Sequence, residues 1–347
     1  MNKQMIVVAV AGALAASSVM ADTVNVNVYG RIRAAGEYIN GTGAAAGKNG
    51  QKQMRVVDNS SVLGFKGTED LGDGLTLLWQ AEGQLEADGD ADGKLNSRNT
   101  FISLKNDYGT ILAGKNDTPY KQTKKGVSAS ILEDGTAEIS AIFGKYNSGA
   151  QAFYTRQAST VQYISPVMKG FEFKIGFAPD EAKTATTTKT RVSSSLGYDH
   201  EMFYVLAGVE NRADAVAADK SAKAMIINGG YKFGKDGSVG VGFEKVSSGS
   251  DDQKNLFLTA NYKFAEKYSL GANFAKAGKA GAIANSGATM ISLGANYDFS
   301  KRTSVTAYYA QIKNQAAGKY NFGDNAIDQL VTGSTPKVLG LGVTHKF

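Results

Sequence analysis

The chain closes on TPKVLGLGVTHKF, residues 335–347. Leu339, Leu341, Val343, His345 and Phe347 share one parity, and Val338, Gly340, Gly342, Thr344 and Lys346 fill the other. A period of two is the signature of a strand. No tail follows, so the C-terminus itself is expected in a sheet. A terminal strand leaves unpaired N–H and C=O groups along an open edge. Pairing with the first strand, and so closing a barrel, removes that edge.

The beginning of the chain fits this. Residues 1–21 read as a cleaved secretory signal: Lys3, the apolar run Met5–Ala16, then the small-residue site Val19-Met20-Ala21. The mature chain, 22–347, is then one barrel domain that loses only Lys3 among its charges. Its first strand, 23–39, sets Val24, Val26, Val28, Ile32 and Ala34 against Asn25, Asn27, Tyr29, Arg31, Arg33 and Glu37.

The same period recurs along the chain, with strands expected over 54–67, 75–86, 98–106 and 109–115. It resumes after a break over 159–164, 171–178, 191–198, 203–211, 224–233, 238–246, 255–264, 268–275, 289–299 and 303–312. With the first and last strands this makes sixteen. Connections alternate between turns of two to six residues, such as Asp73-Gly74, and loops of about eight or more. Even strand number with turns at one end and long loops at the other is the pattern of bacterial outer-membrane barrels. The expectation is an all-β, 16-stranded antiparallel transmembrane β-barrel. Aromatics gather where strands meet the short turns: Tyr108, Phe171, Tyr198, Phe203, Tyr231, Phe233, Tyr262, Phe264, Tyr268, Tyr297, Phe299 and Phe347. A barrel needs such a girdle at its interface.

Composition bounds the alternatives. There are 41 Gly, 4 Pro, 16 Tyr, 16 Phe, one Trp and no Cys. The mature part contains no run of 18 apolar residues, which excludes a helical membrane protein but not a barrel. Without cysteines, an exported protein takes its stability from elsewhere, and a large closed sheet supplies it. The basic balance, pI near 9.1, is scattered over alternating positions rather than gathered into a stripe, which argues against a nucleic-acid binder. Only His200 and His345 exist. His200 sits in a short turn and His345 two residues from the end on the lipid parity, neither with a plausible serine and carboxylate partner, so an enzyme is not expected. Neither a cofactor nor a metal is expected; Asp88, Asp90 and Asp92 read as a solvated loop.

Three stretches carry a resemblance. SSVLGFKGTEDLGDGLTLLWQAEGQL (60–85), SRNTFISLKNDYGTILAGKNDTPYK (97–121) and STVQYISPVMKGFEFKIGF (159–177) resemble hairpins of Gram-negative trimeric porins of the neisserial and beta-proteobacterial type. The start VNVYGRIRAAGEY and the terminal aromatic are similar too, so the resemblance covers the mature chain. It departs at Ser61 or Val62 and at Lys115, where the family often carries Arg, and its long loop is extended. These departures bear on the selectivity filter rather than on the architecture.

The resemblance implies a homotrimer in the Gram-negative outer membrane, in contact with lipid and lipopolysaccharide. It implies a third long loop, about 116–156, folded into the lumen, with acids facing a basic wall. Such a channel passes small hydrophilic solutes and ions by diffusion, because opposed charges across a narrow aqueous opening favour polar solutes. It also makes Phe347 the signal read by the outer-membrane assembly machinery.

Wall candidates are Lys66 and Lys105, on the lumen parity of their strands, and Arg31 and Arg33. An Arg turned to lipid near the midplane costs about 2–4 kcal/mol. Lys115, of ambiguous parity, and Arg156, in phase with Gln162, rank below them. Glu133, Asp134 and Glu138 are the candidate loop acids. Lys121, Lys124 and Lys125 add charge at the mouth or are solvated, and Asp117 reads as a turn residue. More basic wall candidates than loop acids imply a weak anion preference. A substrate-specific channel or a surface adhesin on the same barrel is the alternative.

Overall fold

The computed structural model describes residues 25–44, 52–89, 95–181, 183–234 and 236–347. The expected signal segment 1–21, Asp90 and Asp92 lie outside them. The strands are β1 (Asn25–Ala44), β2 (Lys52–Asp58), β3 (Ser61–Asp70), β4 (Thr76–Leu85), β5 (Thr100–Asn106) and β6 (Gly109–Asp117). A loop follows that holds the short helix α1 (Pro119–Gln122) and the two-residue strands β7 (Lys145–Tyr146) and β8 (Gln151–Ala152). Then come β9 (Arg156–Ile164), β10 (Phe171–Ala178), β11 (Arg191–Asp199), β12 (Phe203–Ala217), β13 (Lys220–Phe233) and β14 (Gly237–Ser248). The chain ends in β15 (Asp251–Phe264), β16 (Tyr268–Ala277), β17 (Ala288–Asp298), β18 (Thr303–Asn314) and β19 (Leu330–Lys346).

Each wall strand pairs antiparallel with its neighbours, and β19 returns to β1 with Arg31 opposite Lys346 and Tyr38 opposite Leu339. β2 and β3 both pair with β1 and form one broken stave, so the closed barrel has sixteen staves. Phe347 completes the seam. Its N–H donates to Gly30 O at 3.1 Å and its carbonyl accepts from Gly30 N at 3.0 Å. Its ring covers Gly30, where an added Cβ would lie 2.5 Å from Phe347 Cζ.

The alternation is visible in exposure. Leu339, Leu341 and Val343 are exposed on the outer face, while Val338 and Thr344 are buried on the inner one. The expected girdle residues Tyr108, Phe171, Phe203, Tyr231, Phe233, Tyr262, Phe264, Tyr268, Phe299 and Phe347 are likewise exposed. In water such a surface would be an aggregation liability; in hydrocarbon it is the solvated face.

Two expectations need correction. The stretch 54–67 is not one regular strand. Asp58 accepts from Ser61 N at 2.9 Å, closing a tight Asx-type turn, and Ser60 takes φ 64°. The outward phase therefore moves from Met54 and Val56 to Leu63 and Phe65. The connections after β12 and β14 are also not long loops. Both strand pairs extend beyond the expected span, leaving only residues 218–219 and 249–250 between them.

The loop 118–155 enters the lumen and packs against the inner faces of β12–β18. Tyr120, Val127, Leu132, Ile139, Ile142, Phe143 and Phe153 are buried against Ile226, Val246, Phe257 and Met290. The loop 315–329 adds Tyr320, Phe322 and Ile327 to the same core. One side of the lumen is thus filled with apolar packing at close density. On the other side, β3–β5, the inward Lys66 and Lys105 are exposed, and water has its passage there.

Candidate functional site

Thr118 begins the inward turn. Its hydroxyl caps α1 by accepting from Lys121 N at 3.2 Å, and Pro119 suits the first helical position. The loop then runs along the wall on anchored side chains. Tyr120 N–H donates to Ser193 Oγ at 2.9 Å, and the Tyr120 hydroxyl meets Glu244 at the bottom of the apolar core. Ala129 N–H donates to Asn273 Oδ1 at 2.7 Å. Ile131 and Leu132 press on Gly271 and Gly294, where a Cβ would collide with them at 2.8 and 2.6 Å.

These anchors deliver Glu133 and Asp134 to β1. Asp134, at φ 56°, pairs through Oδ2 with Arg31 Nη2 at 2.7 Å. Arg33 Nη1 donates to the backbone oxygens of Glu133 and Asp134 at 2.6 and 3.2 Å. Arg31 Nε also donates to Ser60 O at 3.0 Å, so the broken stave props the guanidinium. Burial alone would raise the Asp134 carboxyl; Arg31 and Lys124, helped by Arg33, hold it well below the usual carboxylate range. For Glu133 the pull of Lys124 and Arg33 is outweighed. Burial pushes its carboxyl up, and its side chain lines the hollow beneath the loop.

Beside Arg31 the wall carries a second constellation. Arg98 Nε donates to Glu82 Oε1 at 2.6 Å and Tyr29 OH to Glu82 Oε2 at 3.0 Å. Lys66 Nζ stands 5.0 Å from the Tyr29 ring centre. Asp117 then gathers Lys121 at 2.6 Å, Arg156 at 3.3 Å and Asn99 at 3.3 Å. Beyond it Glu210 accepts from Arg212 at 2.9 Å and faces Arg191 at 3.4 Å, and both arginines donate to Thr155 Oγ1. From β1 round to β12 the inner wall and the loop therefore carry Arg31, Arg98, Lys121, Arg156, Arg191 and Arg212 against Asp134, Glu82, Asp117 and Glu210, of which Lys121 and Glu210 are buried.

The sequence candidates separate accordingly. Arg31, Arg33 and Asp134 come together, and Glu133 meets them through its backbone. Lys66 faces the lumen opposite Asn27, four residues from the Arg31 level, or about 13 Å along a strand. Lys105 lies opposite Thr76, one rung from the Asn106–Gly109 turn, far from the loop. Lys115 turns outward. It follows the outward Ile111 and Ala113 in the regular β5–β6 register, opposite Thr100, and its amine donates to Asn96 O at 3.3 Å. Glu138 is almost wholly buried and bonds Lys124 inside the loop. Burial disfavours the Lys124 ammonium, but Glu138 more than offsets this and raises its pKa. Arg156 joins the Asp117 cluster. Arg98, Glu82, Arg191, Arg212 and Glu210 were not singled out in the sequence, although Glu82 falls on the polar parity of its strand.

A family model described as Gram-negative porin matches residues 6–317. The chain belongs to the Gram-negative porin family. That membership places it in the outer membrane. Major outer membrane protein P.IB of Neisseria gonorrhoeae is 30% identical over 187 residues, 53% of this chain and about half, 51%, of that protein's length. Major outer membrane protein P.IB of Neisseria lactamica is 28% identical over 340 residues, 93% of this chain and 94% of that one. Among solved structures, an anion-selective porin from Comamonas acidovorans superposes with a TM-score of 0.81 at 22% identity, covering 94% of this chain and all of the other. Family and fold point to a channel rather than an enzyme. Among the described residues no group of His, Cys, Asp and Glu is placed to hold a metal.

Proposed function

We propose that this porin is a general diffusion channel for small hydrophilic solutes and ions, with a weak preference for anions and no catalytic activity. The observation that carries the reading is the charge set of the lumen, where six cationic side chains meet four carboxylates between the loop tip and its two roots. Arg31, Arg33 and Asp134 form the tie across the constriction, and Arg98, half-buried and paired with Glu82, stands beside it as the cationic wall. Lys66 lies below it, on the path of an ion leaving toward the short turns. Fixed charges at a water-filled narrowing raise the local concentration of the opposite ion. The similarity to an anion-selective porin supports the same sign.

The working form is a homotrimer, made after removal of residues 1–21, with Phe347 as the assembly signal. The exposed apolar faces of β1 and β19 support a subunit contact there. Two measurements test the proposal. Reversal potentials in a salt gradient should show anion preference, and liposome swelling should fall smoothly with sugar size. Clear cation preference overturns the first part; saturable uptake of one solute class overturns the second.

A further inference from the structure

The outer face of β15–β18 is not uniformly bulky. Ala260, Ala272, Ala295 and Ala307 all point outward, and Ala260 pairs with Ala272 as Ala295 pairs with Ala307. They floor a groove of about 520 Å³, walled by Tyr262, Leu270, Leu293, Tyr309 and Leu339. Behind it the barrel wall is thin. The inward positions Gly271 and Gly294 carry no side chain, and Ile131 and Leu132 of the loop back them from inside.

At the foot of the groove the short turns assemble a different surface. Phe264, Tyr268, Tyr297 and Phe299 follow one another with ring centres 5.4, 4.9 and 4.9 Å apart. Lys267 Nζ stands 5.9 Å from the Tyr297 ring centre. The turns carrying Lys267 and the Lys301-Arg302 pair are tied side by side, since Asp298 N–H donates to Lys267 O at 2.9 Å. All three cations are exposed, and none forms an ion pair among the described residues. Glu266 is the one carboxylate in the turn 265–267.

We propose that this face is a binding site for an anionic phospholipid of the leaflet facing the short turns. One acyl chain lies over the alanine floor, and the phosphate sits among Lys267, Lys301 and Arg302. The dimensions agree. Leu270 and Ala272 stand three and five residues above Lys267, about 10 and 17 Å along the strand, within reach of one chain from its headgroup. Tyrosines prefer the headgroup level, where one end of the ring is dry and the other wet. Cations beside an anionic leaflet attract its phosphates, at about 1 kcal/mol each. A sister subunit is the poorer occupant, because a protein contact here would desolvate three cations without partners.

The test uses the purified mature channel and native mass spectrometry, with phosphatidylglycerol and phosphatidylethanolamine supplied at equal concentration. Preferential retention of phosphatidylglycerol is expected. The variant K267Q/K301Q/R302Q, whose changes all lie on the exposed surface, should weaken that retention about fivefold per cation removed. The groove-filling A272L/A295L should lower retention of both lipids while the barrel still folds. Equal retention of the two lipids by the unaltered channel overturns the proposal. So does a triple variant that keeps its preference. Because the chain has no cysteine, A272C also reports on the rival occupant. A photo-crosslinker on that thiol that joins another subunit in membranes would place a sister copy on the groove and overturn the proposal; a crosslink to lipid supports it.

Discussion

Replacing Arg98 by Gln tests the electrostatic account most directly. Arg98 is held by Glu82 at 2.6 Å, so R98Q removes one positive charge and also exposes the carboxylate it neutralised. An ion passing at about 6 Å through water feels about 0.7 kcal/mol from a unit charge. At 0.1 M salt the Debye length of about 10 Å reduces this to about 0.4 kcal/mol. The change acts with opposite sign on anions and cations, so the permeability ratio should move toward cations about fourfold at 0.1 M salt. At 1 M, where screening acts within about 3 Å, the shift should fall below about twofold. The assay is the reversal potential in planar bilayers, measured at both concentrations. K115Q is the control, because Lys115 faces outward and bonds Asn96 O; it should leave selectivity unchanged. An R98Q channel with unaltered selectivity at 0.1 M, or with the same shift at 1 M, would refute a field set by the open wall.

Other perturbations address how the loop is held. F143A removes a fully buried ring packed 5.6 Å from Tyr120 and 5.7 Å from Phe257. It should cost about 3–5 kcal/mol, seen as larger, noisier single-channel currents and protease cleavage within 118–155; a quiet, protease-resistant channel contradicts this. R33M deletes the donor to two loop carbonyls, each such charged hydrogen bond being worth about 1.5–3 kcal/mol. It should raise conductance while the amount of folded barrel on gels stays unchanged; unaltered conductance would mean Arg33 does not hold the tip. The pH dependence has a definite sign. Because the Asp134 pKa is depressed, its contribution is present above the ordinary Asp value of about 3.9 and is lost only as pH falls through the lower folded value. The excess noise of D134N over the unaltered channel should therefore persist from pH 7 to about 4; D134N channels as quiet as unaltered ones at pH 7 would be evidence against the Arg31–Asp134 tie. Deleting Phe347, which bonds Gly30 at both backbone atoms, should reduce folded barrel in membranes more than it alters conductance; normal amounts of folded protein would contradict an assembly role.

The barrel was legible because a stave facing lipid and water must alternate, and alternation survives in the order of residues. Leu339, Leu341 and Val343 fall outward for that reason, and the short turns declare themselves through residues such as Asp73-Gly74 and Asp107-Tyr108-Gly109. The loop was not legible in the same way. Residues 118–155 have no period, since their apolar side chains meet partners on β12–β18 that are far away in the chain. Glu138 and Asp134 look alike in sequence. One is spent on Lys124 inside the loop and the other reaches Arg31, and only the course of the backbone separates them. Lys115 sits where the pairing of β6 with β9 shifts by one residue, and only the regular pairing with β5 shows that it keeps the outward parity of Ile111 and Ala113. Arg98 opens the expected strand 98–106 on the outward parity of Ile102 and Leu104, but β5 begins only at Thr100, so parity does not govern it. The sequence by itself thus determined a closed, membrane-facing sheet, because local alternation answers to the two solvents. The tertiary structure decided which charges border the water path. That depends on long-range packing of an inward loop, and a carboxylate's partner in space leaves no mark in its neighbours along the chain.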